Sequence, residues 1–344
     1  MNGSRSTPPL GSLRTLSPAQ RARQWTSAHE LRIAHCGAPV HLRALIEISN
    51  RCRRTCHYCG LRGPNHGQHR FTLSREAIVA AASAAAEHGF GTVVLQAGEH
   101  PSVRTETIFD VITYIKGELG LAVTLSLGER LPRELERWRR AGADRYLLRF
   151  ETSNRTLYDR LHPGHRDAQH RAALLRDLRD LGYEVGTGFL IGLPGSRWDD
   201  LERDVELTAA LDPDMIGVGP FIPHPDTPLG ATPPAEVPAD VQTTHDVIAR
   251  LRHLCPRSNI PATTALGVIG GERGRFDALL RGANVLMPNL TPASARSMYR
   301  IYPGKENAEA FSEMRRLVAQ LQSYGLEAAS GPGSSPRYLE RTHS

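Results

Sequence analysis

Runs of consecutive apolar residues alternate with amphipathic stretches along most of the chain. The apolar runs predict eight strands, over residues 42–48, 92–96, 122–127, 144–150, 184–191, 215–218, 260–263 and 283–287. The amphipathic stretches predict helices over residues 19–35, 74–88, 106–119, 132–141, 168–181, 198–211, 239–254, 273–281 and 308–324. Unbroken apolar strands between helices indicate a parallel sheet covered on both faces. Eight such βα units predict a closed (β/α)8 barrel of the TIM type.

Both ends of the chain depart from this pattern. Residues 1–18 are rich in Ser, Pro, Arg and Gly and predict a disordered tail without the apolar core of a secretory signal. Residues 19–41 predict a helical lead-in, and residues 42–324 the barrel itself. Residues 325–344 are rich in Gly, Ser and Pro and predict a flexible C-terminal tail.

Composition narrows the range of partners. The net charge of +6 comes from 42 basic and 36 acidic residues. The arginines are scattered through predicted helices and do not form basic runs with interleaved aromatic residues, so nucleic-acid binding is not expected. A membrane span is not expected either, because no apolar run approaches the required length of about 18 residues. Unpaired cysteines and the lack of a secretory signal favour a cytoplasmic location.

The most unusual feature follows the first predicted strand. Cys52, Cys56 and Cys59 have the spacing C-x3-C-x2-C. They could bind zinc with a fourth ligand, such as His57 or His66, or belong to a disulfide framework. Three thiolates are also one short of a closed 4Fe-4S site, which leaves one iron open to another molecule. We favour an iron-sulfur cluster, because an open iron explains three ligands without a fourth.

Polar residues end two other predicted strands. Gln96-Ala-Gly98-Glu99 closes the second strand, and Arg149-Phe-Glu151 closes the fourth. A glycine turn and a surface ion pair would explain these residues without any ligand. Because the active face of a parallel barrel is formed by the C-terminal ends of its strands, we expect them to face a ligand beside the cysteines.

A second group of candidates lies late in the chain: Thr263, Thr264, Asn289, Tyr299 and Tyr302. Their hydroxyls and amide can bind a substrate, but none is a strong general base. This composition fits a reaction in which a cofactor supplies the reactive atom and the protein positions the substrate.

The cysteine spacing with Tyr58 resembles the radical S-adenosylmethionine (radical SAM) superfamily. The end of the second strand resembles its GGE element, with Ala97 in place of the first glycine, and the run around Ile191 resembles its fifth-strand element. The resemblance implies one 4Fe-4S cluster on the three cysteines, with SAM bound to the open iron. One-electron reduction would then cleave SAM to methionine and a 5′-deoxyadenosyl radical.

Further segments resemble the HydE family of FeFe-hydrogenase maturases, within the group that includes biotin synthase. They are Cys59-Gly-Leu-Arg62, Leu95-Gln-Ala-Gly-Glu99, Val123-Thr-Leu-Ser-Leu-Gly-Glu129, Gly142-Ala-Asp-Arg-Tyr-Leu-Leu-Arg149, Gly219-Pro-Phe-Ile-Pro-His-Pro-Asp-Thr-Pro228, Ser258-Asn-Ile-Pro-Ala-Thr-Thr264, Gly282-Ala-Asn-Val-Leu-Met-Pro-Asn289 and Tyr302-Pro-Gly-Lys305. The similarity extends from about residue 31 to residue 305. It implies action of the radical on an iron-cysteine carbonyl-cyanide precursor in assembly of the hydrogenase H-cluster. Its implied partners are other maturases and an electron donor such as ferredoxin or flavodoxin.

The resemblance also assigns roles to individual residues. SAM would be bound by Tyr58, Gln96, Gly98, Glu99, Ser126, Glu151, Arg171 and Ile191. The substrate would be bound by Arg149, Met215, Thr263, Thr264, Asn289, Tyr299 and Tyr302.

This chain differs from the family pattern in places. Phe150 stands where a histidine is expected, and no cysteine follows Cys255, so only one cluster is predicted. Two alternative functions remain open. One is a radical SAM enzyme acting on an amino acid or thiol, as methylornithine synthase and biotin synthase do. The other is a non-catalytic iron-sulfur assembly factor.

Overall fold

The computed structural model describes residues 11–164, 168–305 and 314–343. The strands are β1 (His41–Leu42), β2 (Ala44–Ser49), β3 (Thr92–Ala97), β4 (Ala122–Ser126), β5 (Arg145–Leu147), β6 (Glu184–Thr187), β7 (Leu190–Ile191), β8 (Met215–Ile216), β9 (Gly219–Pro220) and β10 (Val285–Leu286). The helices are α1 (Pro18–Cys36), α2 (Arg75–Glu87), α3 (Thr105–Gly117), α4 (Pro132–Arg140), α5 (Arg155–Leu161), α6 (Ala168–Asp180), α7 (Trp198–Leu211), α8 (Val241–Leu254), α9 (Thr264–Leu279), α10 (Ala293–Arg296), α11 (Met314–Ser323) and α12 (Pro336–His343).

The strands close into a parallel barrel. Strands β2, β3, β4, β5, β6 and β8 are neighbours in that order in one sheet. Parallel bridges from Met215 to Asn259, from Pro261 to Val285 and from Leu45 to Asn289 complete the circle. The seventh strand is therefore reduced to single bridges around residues 259–261. This arrangement confirms the predicted (β/α)8 barrel.

Burial explains why the strands appeared as unbroken apolar runs. Every residue of β2 is buried, since one face points into the barrel and the other packs against helices. Helix α8 is buried along most of its length because α1, α7 and α9 pack around it. Among the described residues, no helix combines the length and apolar character that crossing a membrane requires.

Several helices differ from the prediction. Helix α9 begins at Thr264, earlier than the predicted residue 273, and has a kink at Gly271, where φ is 61°. The short helices α5 and α10 were not predicted, because they lie in segments too short to show a period. Helix α11 matches the predicted helix over residues 314–323, whereas residues 308–313 lie outside the described residues.

The structure differs from the predicted flexible C-terminal tail. Residues 328–343, here named the C-terminal strap, close the N-terminal end of the barrel and end in α12. Ala328 bridges Val40, and the Ser335 N–H donates to the buried carboxylate of Glu184. The sequence predicted a flexible tail from its Gly, Ser and Pro content. The contacts that order the segment are made with residues distant in sequence, and such contacts leave no local pattern.

The predicted N-terminal disordered tail also differs over residues 11–17. Residues 13–15 form a 3₁₀ helix, and Leu13 is buried. The Leu13 N–H donates to Glu202 of α7 at 2.7 Å. Residues 1–10 of that prediction lie outside the described residues.

Candidate functional site

A cavity of about 300 Å³ lies at the C-terminal ends of the barrel strands. The predicted site residues that line it are Tyr58, Cys59, Gln96, Ser126, Arg149, Glu151, Arg171, Thr263, Thr264 and Tyr302. They come from the cysteine loop and from the ends of strands on both sides of the barrel. The closed barrel is what brings residues so distant in sequence together.

The remaining predicted residues lie outside this lining. They are Cys52, Cys56, Gly98, Glu99, Ile191, Met215, Asn289 and Tyr299. Four of them, Gly98, Glu99, Asn289 and Tyr299, contact the cysteine loop or the group around Lys305.

Three neighbouring segments hold the cysteine loop through its backbone. The Arg53 N–H donates to the Glu99 carbonyl at 2.8 Å, and the His57 N–H donates to the Leu161 carbonyl at 2.9 Å. The Gly60 N–H donates to the Ile301 carbonyl at 2.9 Å. Gly98 lies so close to the loop that a Cβ there would be 2.4 Å from the Arg51 carbonyl oxygen. The glycine of the predicted GGE-like element is thus required by close backbone approach.

The three clustered cysteines are half-buried and near one another. Burial raises the pKa of the Cys56 thiol to about 12, and burial together with the neighbouring sulfurs also raises the pKa of Cys59. Their thiolates are therefore unfavourable without a cation, whereas coordination to a metal deprotonates a thiol outright. This donor set fits an iron-sulfur cluster.

The two alternatives for the cysteines fit less well. Within the described part of the chain none of the five cysteines forms a disulfide. In residues 11–164, 168–305 and 314–343, no three His, Cys, Asp or Glu side chains are close enough to hold a single metal ion. A zinc site needs its ligands around one ion, whereas the cysteines of a cubane cluster each bind a different iron.

A network of buried carboxylates and guanidinium groups borders the cysteine loop. Glu99, predicted to bind SAM, pairs with Arg53 at 3.1 Å and with Arg54 at 2.7 Å. Arg54 also pairs with Glu129 at 2.9 Å, and Glu129 pairs with Arg171 at 3.0 Å. The carboxylate of Glu99 therefore anchors the cysteine loop in this structure and does not line the cavity.

Arg171 extends from α6 into the cavity. Its Nη1 donates to the Arg149 carbonyl at 2.8 Å, and its Nε pairs with Glu129. Burial raises the pKa of Glu129, but the charges of Arg171 and Arg54 outweigh burial and hold that pKa below its ordinary value. Arg171 is thus a fixed cation at the cavity wall.

Two polar atoms of residues that line the cavity have no hydrogen-bond partner among the described residues. One oxygen of Glu151 lies 3.3 Å from Arg149 Nε, while the other, Oε2, is buried without a hydrogen bond from any described residue. The hydroxyl of Thr263 is likewise buried without a hydrogen-bond partner among the described residues. Buried polar groups are normally paired, so two unpaired atoms of residues that line the cavity are available to bind a ligand.

Tyr58 is fixed by aromatic neighbours. Its hydroxyl lies 2.9 Å from His162 Nε2, and the other ring nitrogen of His162 lies 2.9 Å from the Tyr158 carbonyl. The rings of His162 and Tyr158 stack at 4.1 Å. Sequence reasoning missed His162, because no local pattern connects it to the cysteine loop.

A buried polar group lies on the opposite side of the cavity. Glu47 of β2 forms an ion pair with Lys305 at 2.5 Å and accepts from Asn289 Nδ2 at 3.2 Å. Lys305 lines the cavity and lies over the ring of Tyr299. Asn289 and Tyr299 thus support Lys305 rather than line the cavity. Glu47 was missed because it occurs within an apolar run.

The other predicted residues lie deeper in the fold. Met215 Sδ is 3.0 Å from Arg43 Nη1 inside the barrel. Ile191 is buried, while its neighbour Leu190 lines the cavity. Phe150, which replaces the expected histidine, packs against Phe189 in the core. Its side chain is therefore part of the core.

Comparisons with known proteins agree with the site. Residues 46–208 match the radical SAM superfamily. The FeFe-hydrogenase maturase subunit HydE of Thermotoga maritima is 48% identical over 279 residues, which cover 81% of this chain and 78% of the relative. The 3-methylornithine synthase of Methanosarcina acetivorans is 27% identical, covering 88% of this chain and 84% of the relative.

A solved structure of methylornithine synthase (PylB) has the same fold, with a TM-score of 0.80 at 24% identity, and covers 96% of this chain and 94% of that one. The family is assigned from the 48% identity to HydE, which extends over 81% of this chain. The chain belongs to the HydE family of the radical SAM superfamily, whose cofactors are a 4Fe-4S cluster and S-adenosylmethionine.

Proposed function

We propose that this protein cleaves SAM reductively to a 5′-deoxyadenosyl radical and uses the radical as a HydE-type maturase in assembly of the FeFe-hydrogenase H-cluster. The observation that carries this proposal is that Cys59 of the cysteine loop and nine other predicted site residues border one cavity. The similarity to the HydE of Thermotoga maritima supports the same function.

We assign the cluster to Cys52, Cys56 and Cys59, where it would supply the electron that cleaves SAM. The side chains around it bind and orient SAM. Arg171, held by Glu129 and by the Arg149 carbonyl, offers a fixed positive charge to a carboxylate. The unpartnered Oε2 of Glu151 accepts a hydrogen bond from a donor group of the ligand. Ser126 and Gln96 add polar contacts at the ends of their strands.

The substrate lies deeper, against the late strands. We assign its binding to Arg149, Thr263, Thr264 and Tyr302, together with Lys305, which the structure adds to the lining. Two cationic side chains and several hydroxyls suit an anionic substrate such as an iron-cysteine carbonyl-cyanide complex. Apolar side chains complete the wall and limit water near a radical.

The proposed partners follow from the same chemistry. A one-electron donor such as ferredoxin or flavodoxin reduces the cluster, and other maturases supply the precursor and receive the product. A cytoplasmic location fits unpaired cysteines and these partners.

Anaerobic reconstitution tests the proposal directly. Reduced protein with an intact cluster should convert SAM to 5′-deoxyadenosine, and the iron-cysteine precursor should increase the rate and become modified. Cleavage stimulated instead by an amino acid or thiol would assign the alternative enzymatic role. No cleavage by protein with an intact cluster would leave the assembly-factor role.

A further inference from the structure

Glu151 has a strained backbone. Its φ is 69°, in the left-handed region, which is unfavourable for a residue with a side chain. Among the described residues only Asp212 is another non-glycine with positive φ, and it ends α7 away from the cavity. Such strain persists only where the surrounding contacts enforce it.

Part of the constraint comes from the chain after β6. The N–H groups of Phe150 and Glu151 both donate to the Gly188 carbonyl. The Leu190 N–H donates back to the Glu151 carbonyl at 3.1 Å. These bonds fix the Glu151 peptide groups, but they leave open how the chain turns immediately afterwards.

Helix α7 holds that turn. Oδ1 of Asp204 accepts from the Ser153 N–H and from the Thr152 hydroxyl. One helical turn earlier, Asp200 accepts from Asn154 Nδ2 at 3.0 Å. Asp204 is only 3% exposed and, among the described residues, forms no ion pair. Its carboxyl therefore accepts these hydrogen bonds inside the protein and does not interact with solvent.

We propose that Asp204 is a positioning residue, which holds the turn at residues 152–154 against α7 and thereby keeps Glu151 in the conformation that directs its carboxylate into the cavity. This inference rests on the proposed function, because it takes SAM as the ligand of Glu151. Without the Asp204 acceptor the Ser153 N–H would be buried and unpaired, and the turn would move to satisfy it. Glu151 would then relax from its left-handed conformation, and its carboxylate would leave the cavity.

The first test compares three variants of α7 in the reconstituted holoenzyme. Asp204→Leu should raise the Kd and the KM for SAM by about tenfold, the equivalent of about 1.4 kcal/mol. The kcat and the cluster absorbance per protein should change much less. Asp204→Asn keeps an acceptor oxygen and should bind SAM within about threefold of wild type. Glu206→Leu, on an exposed position of the same helix, should match wild type.

A double-mutant cycle separates positioning from a general structural role. In a Glu151→Ala background, Asp204→Leu should weaken SAM binding little further, because no carboxylate remains to be positioned. Additive losses would overturn the inference. Should Asp204→Leu not fold, Asp204→Glu moves the carboxyl oxygens by one methylene and should also weaken SAM binding. Unchanged binding by that variant would equally overturn it.

The two proposals can fail separately. A wild-type protein with an intact cluster that neither binds nor cleaves SAM refutes the proposed function. Normal SAM cleavage by wild type, with Asp204→Leu equal to Glu206→Leu, refutes only the role of Asp204.

Discussion

The two ends of the barrel bury similar chemical groups in different ways. At the N-terminal end, the buried acids Glu184 and Asp214 face Arg145 and Arg341, and the half-exposed Asp212 faces Arg337. At the C-terminal end, three half-buried cysteines lie together, and one oxygen of Glu151 has no partner among the described residues. Asp214 at the first end also has one oxygen, Oδ1, without a hydrogen bond from any described residue, but it does not line the cavity, whereas Glu151 does. An unpaired oxygen on a cavity wall, and neither incomplete pairing alone nor the number of charges, marks the functional end.

The largest expected effect is at the cysteine loop. Cys56→Ala should abolish both the visible absorbance of the cluster and the cleavage of SAM, because two thiolates cannot hold a cluster with one open iron. Cys255→Ala, which removes a buried thiol far from the loop, should retain both. SAM cleavage retained by Cys56→Ala would refute the assignment of the cluster.

At the N-terminal end of the barrel, we expect substitutions to change the free energy of unfolding. Arg145→Leu leaves the fully buried carboxylate of Glu184 without its cation and should lower the free energy of unfolding by about 3–5 kcal/mol. Urea denaturation measures this loss. The matched control is Lys116→Met, which breaks the more exposed pair with Asp144 and should cost less than about 1 kcal/mol. Equal losses in the two variants would contradict the structural role of the buried pair of Arg145 and Glu184.

The sequence predicted the two ends unequally. All eight barrel strands were visible as apolar runs, and the residues that line the cavity end those runs or resemble known motifs. The pair of Glu47 and Lys305 joins positions 258 apart, and neither residue carries a local signal of its partner. The C-terminal strap was interpreted as flexible for the same reason, because its order comes from Glu184, Arg145 and Val40. Local patterns predict elements, whereas long-range pairing requires the fold.

Asp204 is an exception at the functional end, because it is a buried acid without a guanidinium partner in the described chain. Burial raises its pKa to about 7, even though bonds from Ser153 oppose the shift. The folded protein therefore binds a proton more tightly than the unfolded chain, and stability falls as pH rises from about 4 to about 7. Asparagine does not titrate, so Asp204→Asn should not lose this stability as pH rises. The free energy of unfolding of the variant minus that of wild type should therefore increase by about 2–3 kcal/mol between pH 5 and pH 8.

Unfolding in urea across this pH range measures the difference. Glu206→Gln, at an exposed position of the same helix, should show no pH-dependent difference from wild type. A constant difference between Asp204→Asn and wild type from pH 5 to 8 would show that Asp204 is ionised throughout.

The smallest effect separates a ligand-binding hydroxyl from a structural one. Thr263→Val replaces a buried hydroxyl that has no partner in the described chain, so the ligand-free protein should keep its stability or gain up to about 1 kcal/mol. Thr291→Val should lose about 1–2 kcal/mol, because the Thr291 hydroxyl accepts from the Glu47 N–H at 2.8 Å. Substrate binding should weaken by about threefold to tenfold in Thr263→Val, the cost of one neutral hydrogen bond. Thermal unfolding with and without substrate measures both quantities. If Thr263→Val loses as much stability as Thr291→Val without any ligand, the Thr263 hydroxyl is paired within the protein, and an unpartnered group no longer marks the functional end there.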